Sequence, residues 1–467
     1  MGIAMSTLVD DSGAASTPIH ALRATDWPSF REGLSPVARR FAENVHFEPK
    51  PGRHLLLPGE GGTLEGAVFI EDPKKSEAER AFVRGGLASV LPGGTYRFQG
   101  EMGDLALVAF AWLTDIYRFE AYRSKEEQPH ARLVLPKSVN AARVQRLADA
   151  IAFGRDLINT PANDLAPDGL EAAARGLASK YGASFEATVG EALLDANLPM
   201  IHAVGRASAT PPRLIDFSWG EASAPKVTLV GKGVTFDTGG LNIKPDAAML
   251  LMKKDMGGAA TALAAARMLM GENLPVRLRV LVPAVENSIS GSSFRPGDVL
   301  RSRKGLSVEI GNTDAEGRLI LADALSLADA ESPELMVDFA TLTGAARVAL
   351  GPDLPAFYAT DDDFAAQVLA LGTRINDPVW RLPFWAPYDE MLASRIADVS
   401  HISNTPFAGS VTAALFLKRF VEKARIYAHF DLFAWTPTAR PGRPLGGEAQ
   451  VARLIFETIE ERFRKAK

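Results

Sequence analysis

The chain has no cysteine among its 467 residues. Disulfides, thiolate catalysis and cysteine-ligated zinc are therefore excluded. Histidine is also scarce, with seven copies and no H-E-x-x-H pattern, so a histidine-based zinc site is not expected. The missing cysteines fit a reducing compartment, and we expect a cytoplasmic protein.

The sequence also lacks a strong excess of one charge and a long hydrophobic run. Its 51 Lys and Arg stand against 56 Asp and Glu, so nucleic acid is not expected as the main partner. The longest apolar run, LALVAFAWL, is far shorter than the roughly 20 residues that span a bilayer. The N-terminus has neither the basic nor the apolar region of a secretory signal. We therefore expect no membrane association.

The length of the chain exceeds what one hydrophobic core usually holds, so two domains are expected. Residues 1–137 predict a small N-terminal α/β domain, with strands at HLLLP, GAVFI and RLVLP. A helix over 138–157, starting at Ser138, is expected to bridge to a larger catalytic domain, which fills 138–467.

From about residue 226 strands alternate with helices. Near-continuous apolar strands such as VTLVG and LMVDFA predict an α/β fold with a central mixed sheet flanked by helices. In such sheets a ligand crevice lies beyond the carboxyl ends of the strands. The loops after VTLVG, SVEIG and LMVDFA are expected to meet there.

The glycine-rich loop after VTLVG contains Lys232, Asp237 and Lys244. It lacks the spacing of a phosphate-binding P-loop, because Lys232 is followed by a glycine where that motif has Ser or Thr. The glycines instead allow the backbone to pack closely around whatever Lys232 and Asp237 hold.

Two further segments contain acids. Asp255 stands just before a Gly-Gly pair and a predicted helix, so it is either an N-cap residue or a ligand. In NTDAEGRL, the residues Asp314, Glu316 and Arg318 alternate with small neighbours. An extended segment would point all three side chains into one crevice, and the alternative is a solvated edge with an Asp–Arg pair.

Together these segments bring four carboxylates to one buried sheet end, where like charges do not coexist without protons or cations. Two divalent ions would balance the four charges, and oxygen ligands suit Mg²⁺ and Mn²⁺, with Zn²⁺ as another candidate. Such a pair can share a bridging water and polarise a carbonyl. The four acids are Asp237, Asp255, Asp314 and Glu316.

The basic residues complete this hypothesis. Dications and burial would lower the pKa of Lys232, so that its neutral amine could be a nitrogen ligand. A charged Lys244 could face the oxyanion formed when a carbonyl is attacked. The rigid guanidinium of Arg318 could hold a carboxylate-like anion near the metals.

The same segments resemble the leucyl (cytosol) aminopeptidases, a family of dinuclear metallopeptidases that remove N-terminal residues from peptides. The resemblance covers roughly residues 140–430 and extends to further motifs beyond the acidic segments. The motifs that carry it are VGKGVTFDTGGLNIKP, KKDMGGAATAL, NTDAEGRLILADAL, NTPANDLAP, VENSISGSSFRPGDVL, DFATLTGA and AGSVTAALFLKRFV.

The resemblance implies a role for each site residue. Asp237 and Glu316 would bridge two ions, with Lys232 and Asp255 completing the tighter site and Asp314 the more exchangeable one. Lys244 and Arg318 would be the catalytic pair. Arg318 would act through a bound bicarbonate. The ions implied are Mn²⁺ or Zn²⁺, with Mg²⁺ and Co²⁺ as further candidates.

The resemblance also implies peptide substrates with a free N-terminus, a homohexamer, and a side-chain pocket near Met252, Thr341 and Gly344. The chain departs from the family in a shorter N-terminal domain, which matches only weakly. It departs again at Phe433, where small residues are usual, and the bulk of Phe433 would reshape the pocket. A preference for leucine is therefore not expected to transfer.

Two other functions remain open from the residues alone. The same carboxylates could clamp a phosphate in a dinuclear phosphoesterase, which would hydrolyse aryl phosphates but not aminoacyl amides. A non-catalytic binding protein could keep the fold without turnover. All seven metal and catalytic positions are present, which favours an enzyme.

Overall fold

The computed structural model describes residues 7–11, 13, 15–100, 102–124 and 130–464. The chain divides into two compact units. Unit 1 comprises Met1–Ala152, Arg374–Asn376 and Thr438–Leu445, and unit 2 comprises Phe153–Thr373, Asp377–Pro437 and Gly446–Lys467. This division falls inside one helix and not at a linker, so the boundary after residue 137 stays a prediction.

Unit 1 contains a six-stranded sheet and four helices. Its elements are β1 Leu8–Asp10, β2 Thr17–Leu22, α1 Trp27–Glu32, α2 Pro36–Asn44, β3 His54–Pro58, β4 Leu64–Ile70, α3 Glu77–Gly85, β5 Gly94–Gln99, α4 Leu105–Asp115 and β6 Ala131–Leu135, with short 3-10 segments at Ala24–Asp26, Glu60–Gly62 and Gly86–Ser89. The strand order is β1-β6-β5-β2-β4-β3, and all pairs are parallel except β3–β4. The predicted strands HLLLP, GAVFI and RLVLP are β3, β4 and β6.

Local chemistry fixes the start of the helix α3. Ser76 accepts a hydrogen bond from the backbone N–H of Glu79, and the Glu79 carboxylate accepts one from the Ser76 N–H, which forms a capping box. Later in α3, the buried guanidinium of Arg84 donates to Glu71, to Glu77 and to the Met102 carbonyl, at 2.6–2.8 Å. The guanidinium is buried and Glu71 is mostly buried, whereas the Glu77 side chain is 42% exposed.

The helix α5, Ala141–Asn159, contributes residues to both units. The prediction that it starts at Ser138 is wrong by three residues. The side chain of Asn140 accepts a hydrogen bond from the Arg143 N–H at 3.0 Å, so Asn140 takes the capping role.

Unit 2 has a larger mixed sheet flanked by helices, as the alternating pattern predicted. Its elements are α6 Pro167–Lys180, β7 Ser184–Val189, α7 Ala192–Asp195, α8 Pro199–Gly205, β8 Arg213–Trp219, β9 Lys226–Gly231, β10 Gly233–Asp237, α9 Asp246–Met249, α10 Gly257–Gly271, β11 Arg277–Asn287, β12 Val299–Arg301, β13 Ser307–Glu309, α11 Gly317–Asp329, β14 Leu335–Ala340, α12 Gly344–Leu350, β15 Ala356–Ala359, α13 Asp362–Arg374, β16 Trp380–Arg381, β17 Val399–Ser400, α14 Gly409–Lys418, β18 Tyr427–Asp431, β19 Trp435–Thr436, β20 Gly446–Gly447 and α15 Ala452–Phe463, with 3-10 segments at Met252–Met256 and Ala386–Leu392.

The main sheet runs β16-β15-β18-β14-β9-β11-β8-β7, with β10 paired to β11. Its central pairs β18–β14, β14–β9 and β9–β11 are parallel, and these strands are almost wholly buried. Helices α10 and α11 pack against this centre. The small residues of α10 allow a close approach: a Cβ on Gly258 would lie 2.0 Å from the Phe339 carbonyl oxygen.

Two details of the predicted catalytic domain are wrong. SVEIG is not part of the main sheet, because β13 belongs to a three-stranded sheet with β12 and β17. NTDAEGRL is not an extended segment: residues 313–314 form a turn, and α11 begins at Gly317. Across the described parts of the chain, no helix is both long and apolar enough to cross a membrane.

Candidate metal centre

Three buried carboxylates meet at the carboxyl ends of the central strands. Asp237 ends β10, Asp255 lies in the 3-10 segment before α10, and Glu316 immediately precedes α11. One oxygen from each lies within 4.8 Å of the others, and each residue is at most 4% exposed. Asp255 is not an N-cap, since no side-chain capping bond is made to α10, where Met256 holds that position.

Lys232 lies inside this group of acids. Its Nζ is 2.8 Å from Asp255 Oδ2 and 3.0 Å from Glu316 Oε1, and it donates to the Thr341 carbonyl at 2.9 Å. Its backbone N–H donates to the Phe339 carbonyl of β14. A Cβ on Gly317 would lie 2.5 Å from Lys232 Cε, so only glycine leaves room for the lysine side chain.

Lys244 and Asp314 lie on the other side of Asp237. Lys244 Nζ is 2.8 Å from Asp237 Oδ2 and also contacts Asp314 Oδ1. Asp314 does not join the three-carboxylate group, and its side chain is 30% exposed. Gly239 supports this loop with a φ of 88°, a conformation that side chains rarely adopt.

Burial and mutual repulsion change the protonation of these acids. Burial raises the pKa of Glu316 to about 8, and Asp237 adds to the effect. Burial, with the charge of Asp255, raises the pKa of Asp237 to about 6. Burial would also raise the pKa of Asp255, but Lys232 and Lys254 reverse this and hold it below its usual value. The group holds more negative charge than its own lysines neutralise.

The pKa of Lys232 shifts in the direction opposite to the expected one. Burial opposes its charge, but Asp255, Glu316 and Asp237 outweigh burial and raise its pKa. The expected lowering presumed two dications beside the amine. With carboxylates around it the lysine is a cation, and metal binding to its nitrogen would have to release that proton.

The test of fit to metal ions is whether the acids have unused acceptor atoms. Neither oxygen of Glu316 accepts a hydrogen bond within the described part of the chain, although Oε1 is close to the Lys232 ammonium. Asp255 Oδ2 and Asp314 Oδ1 also accept no hydrogen bond from a described residue, although each lies close to a lysine ammonium. Buried carboxylate oxygens without donors are costly, and they suit divalent cations.

Two neutral side chains orient the acids. Asn287 Nδ2 donates to Asp237 Oδ1 at 2.8 Å, and Thr341 Oγ1 donates to Asp255 Oδ1 at 2.8 Å. Sequence reasoning missed Asn287, although it ends a buried strand at the same sheet edge, which is a detectable signal. It assigned Thr341 to the pocket, and the structure shows its hydroxyl on a candidate ligand.

Arg318 lies in the first turn of α11 and is 7% exposed. Its NH1 donates to the His401 carbonyl at 2.7 Å, while Nε has no acceptor among the described residues. Burial lowers the pKa of Arg318 to about 10, so it is still a cation at neutral pH. His401, which sequence reasoning missed, has its pKa lowered to about 4 by burial and so is neutral.

The other residues predicted for the side-chain pocket lie on separate elements of unit 2. Met252 begins the 3-10 segment that holds Asp255, and the exposed Gly344 begins α12. Phe433 follows β18, and its N–H and that of Ala434 both donate to Gln450 Oε1. Lys254 Nζ is 4.5 Å from the centre of the Phe433 ring. Burial lowers the pKa of Lys254 to about 8, so it is mostly protonated at neutral pH.

Comparisons with known proteins agree on one family. The model of the cytosol aminopeptidase family, catalytic domain, matches residues 152–455, and that of the M17 aminopeptidase N-terminal domain matches residues 17–136. A probable cytosol aminopeptidase of Syntrophotalea carbinolica is 41% identical over 68% of this chain and 65% of its own length. One of Desulfovibrio desulfuricans is 39% identical over 79% of this chain and 75% of its own length.

Solved structures extend the likeness to the whole chain. The crystal structure of a cytosol aminopeptidase from Coxiella burnetii superposes with a TM-score of 0.92 at 42% identity, covering 98% of this chain and all of that one. The bottromycin maturation enzyme BotP, solved in complex with Mn, superposes with a TM-score of 0.85 at 32% identity, covering 96% of this chain and all of that one.

Proposed function

The chain belongs to the cytosol aminopeptidase family, a family of metal-dependent peptidases, and from that premise we propose that it is a two-metal aminopeptidase. It would remove the N-terminal residue from peptides with a free N-terminus. The observation that supports this most is that neither oxygen of Glu316, beside Asp237 and Asp255, accepts a hydrogen bond from a described residue. These acids are buried where a cation is the favourable partner.

We propose two ligand sets that share acids. Lys232, Asp255, Asp237 and Glu316 would hold one ion, and Asp314 with Asp237 and Glu316 would hold the other. When bound, two divalent ions such as Mn²⁺ or Zn²⁺ would polarise the scissile carbonyl and activate water. The four carboxylates are then balanced, and none is left over as a separate general base.

Lys244 has the position to act on the substrate. Its ammonium contacts both Asp237 and Asp314, and those acids raise its pKa although burial opposes this. Once the two acids take a metal, the ammonium is free to donate to the oxygen of the attacked carbonyl, where negative charge develops. This donor stabilises the transition state more than the bound substrate.

Arg318 supplies the second cation. Its Nε lacks an acceptor in the described chain, and a guanidinium binds carboxylate-like anions with two parallel hydrogen bonds. We propose that it holds a bicarbonate, which would carry the proton between the attacking water and the leaving amine. The His401 carbonyl fixes the guanidinium from the other side at 2.7 Å.

The assembly and location belong to the same proposal. Large apolar side chains are exposed in unit 2, among them Leu250 at 80%, Val348 at 84% and Phe407 at 73%. Coverage of such residues by other copies of the chain would support the homohexamer. Sedimentation at micromolar concentration should then give the mass of six chains. We also propose a cytoplasmic location.

The function is tested by removing metal with a chelator and restoring Mn²⁺ or Zn²⁺ before assaying aminoacyl amides. Release of free amino acid should require the metal, and acetylation of the substrate amine should abolish it. Matched variants Lys244→Met and Lys226→Met separate the catalytic lysine from a distant one that bonds the Glu331 carbonyl. Hydrolysis of aryl phosphates alone would support the phosphoesterase, and no turnover with any metal would support a binding protein.

A further inference from the structure

Two cations flank the ring of Phe433. Lys254 Nζ is 4.5 Å from the ring centre, and Arg347 Cζ is 5.1 Å from it. Lys254 stands beside the candidate ligand Asp255, and Arg347 lies on α12, which begins just after Thr341 and its bond to Asp255. The three side chains therefore form a cluster beside the segment that carries the candidate ligand Asp255.

Lys254 is an almost fully buried residue whose ammonium has, in the described part of the chain, only the Phe433 ring as a partner. The residue is 5% exposed, and within the described chain its side chain has neither a hydrogen-bond acceptor nor an ion pair. The Arg347 guanidinium likewise has only the Phe433 ring as a described partner, but it is exposed. The attraction to a ring face offsets only a fraction of the cost of burying an ammonium.

The acids nearest to these cations are already used. Asp255 is 2.8 Å from Lys232 and accepts the Thr341 hydroxyl. Asp431 accepts from four donors at 2.6–3.2 Å: the backbone N–H groups of Leu342 and Thr343 and the hydroxyls of Thr343 and Ser410. The positive charge of Lys254 and Arg347 is thus left for a group from outside the chain.

We propose that Lys254 and Arg347 select substrates whose N-terminal residue has a carboxylate side chain, glutamate or aspartate. The inference rests on the proposed aminopeptidase function and names its substrate class. A carboxylate would pair with the buried ammonium and with the guanidinium at the entrance. Phe433 fills volume that a large apolar side chain would need, so it disfavours leucine while holding the two cations in place.

The test compares the metal-loaded enzyme on glutamyl and glutaminyl amides, which have the same shape and differ in side-chain charge. We expect kcat/KM to be at least about tenfold higher for the glutamyl amide, which corresponds to about 1.4 kcal/mol. Lys254→Met and Arg347→Gln should each lower this ratio, and the double variant should bring it close to one. Lys253→Met is the matched control, because Lys253 donates to the Asn159 carbonyl and its loss should not change the ratio.

The ratio within each variant is read together with its metal content, since Lys254 adjoins a candidate ligand. A partial loss of metal or of folded protein lowers both rates and leaves the ratio unchanged. Hydrolysis of glutaminyl and leucyl amides at the glutamyl rate would overturn the selectivity and leave the aminopeptidase intact. Hydrolysis of no amide would reject the proposed function and the selectivity with it.

Discussion

The two units of the chain both bury charged side chains, but they partner them differently. In unit 1 the Arg84 guanidinium donates to Glu71, to Glu77 and to the Met102 carbonyl. In unit 2 neither oxygen of Glu316 accepts a hydrogen bond in the described chain, and its nearby cation, Lys232, is shared with Asp255. A charge whose partners are all supplied by the chain stabilises the fold, whereas one without donors indicates a ligand.

Asp115 shows the limit of this comparison. Its Oδ2 has no hydrogen-bond partner in the described chain, although it lies in unit 1, while the other oxygen accepts from the Gly442 N–H. Burial raises the pKa of Asp115, so this single acid can be protonated. What distinguishes unit 2 is three buried acids within 4.8 Å of one another, so that protonation of one changes the pKa of the others.

Glu316→Gln has the largest expected effect, and it tests whether the buried acids of unit 2 are metal ligands. We expect kcat/KM to fall by more than about a hundredfold, because loss of a group that only orients a metal ligand already costs about 10–100-fold. Bound Mn²⁺ should fall in parallel, as measured by elemental analysis after dialysis. The metal-free variant should melt no lower than the parent, because the raised pKa already leaves Glu316 mostly uncharged at neutral pH when no metal is bound.

Glu186→Gln is the matched control for that change, since Glu186 is exposed on β7 of the same unit. It should retain both metal and turnover. Normal turnover by Glu316→Gln would mean that Glu316 is not a metal ligand. Carboxylate oxygens that accept no hydrogen bond would then no longer indicate a metal site in this chain.

Arg84→Met in unit 1 should have the opposite effect, because it should lower stability and leave turnover unchanged. We expect the free energy of unfolding to fall by about 3 kcal/mol, because the mostly buried Glu71 loses the cation that pairs with it. Activity per folded molecule should not change. Chemical denaturation followed by circular dichroism measures the loss, and Arg80→Met is the control. Arg80 is 27% exposed in its Glu77 ion pair, so that change should cost at most about 1 kcal/mol.

A buried acid outside the metal group gives a subtler test. Asp323 accepts hydrogen bonds from the N–H groups of Met200 and Arg303, and burial raises its pKa to about 7. Its folded pKa lies above the unfolded value, so its contribution to stability is present below about pH 4 and is lost as pH rises through 7. The slope is at most about 1.4 kcal/mol per pH unit.

Asp323→Asn should therefore have a flatter dependence of unfolding free energy on pH between 5 and 7 than the parent. It should also be less stable overall, because its amide nitrogen faces a backbone donor. Equal slopes in the two proteins would mean that the hydrogen bonds keep Asp323 ionised.

The smallest expected effect lies in the capping box of unit 1. Ser76→Ala should reduce the unfolding free energy by about 1 kcal/mol, because the Glu79 N–H loses its acceptor. Ser29→Ala, at an exposed position in α1, should stay within about 0.5 kcal/mol of the parent. A change in metal content in either variant would contradict the expectation that these unit 1 contacts affect stability and not metal binding.

The parts of the site that sequence could predict are those fixed by strand ends. Asp237 was expected at the carboxyl edge of the main sheet because it follows the buried strand VTLVG. Glu316 was expected there by the same argument, but SVEIG belongs to another sheet, so that argument does not account for its position. The conformation of NTDAEGRL could not be derived from alternation, since Gly317 and LILADAL start a helix that includes Arg318. Partners that are distant in sequence, such as the His401 carbonyl on Arg318, leave no local signal.

Asp314 shows why charge counting is incomplete. Four acids and two dications balance on paper, and yet the structure places Lys244 between Asp314 and Asp237. Which cation an acid contacts depends on side-chain reach across a folded loop, and composition does not contain that information.

The close packing of Gly317 against the Lys232 side chain has a practical consequence for redesign of this enzyme. Lys232 runs where any side chain at 317 would stand, so the two positions cannot be randomised independently. A library aimed at a new metal preference should hold Gly317 constant and vary Lys232 first. Shortening the lysine is the one change that opens the space for residue 317 to vary afterwards.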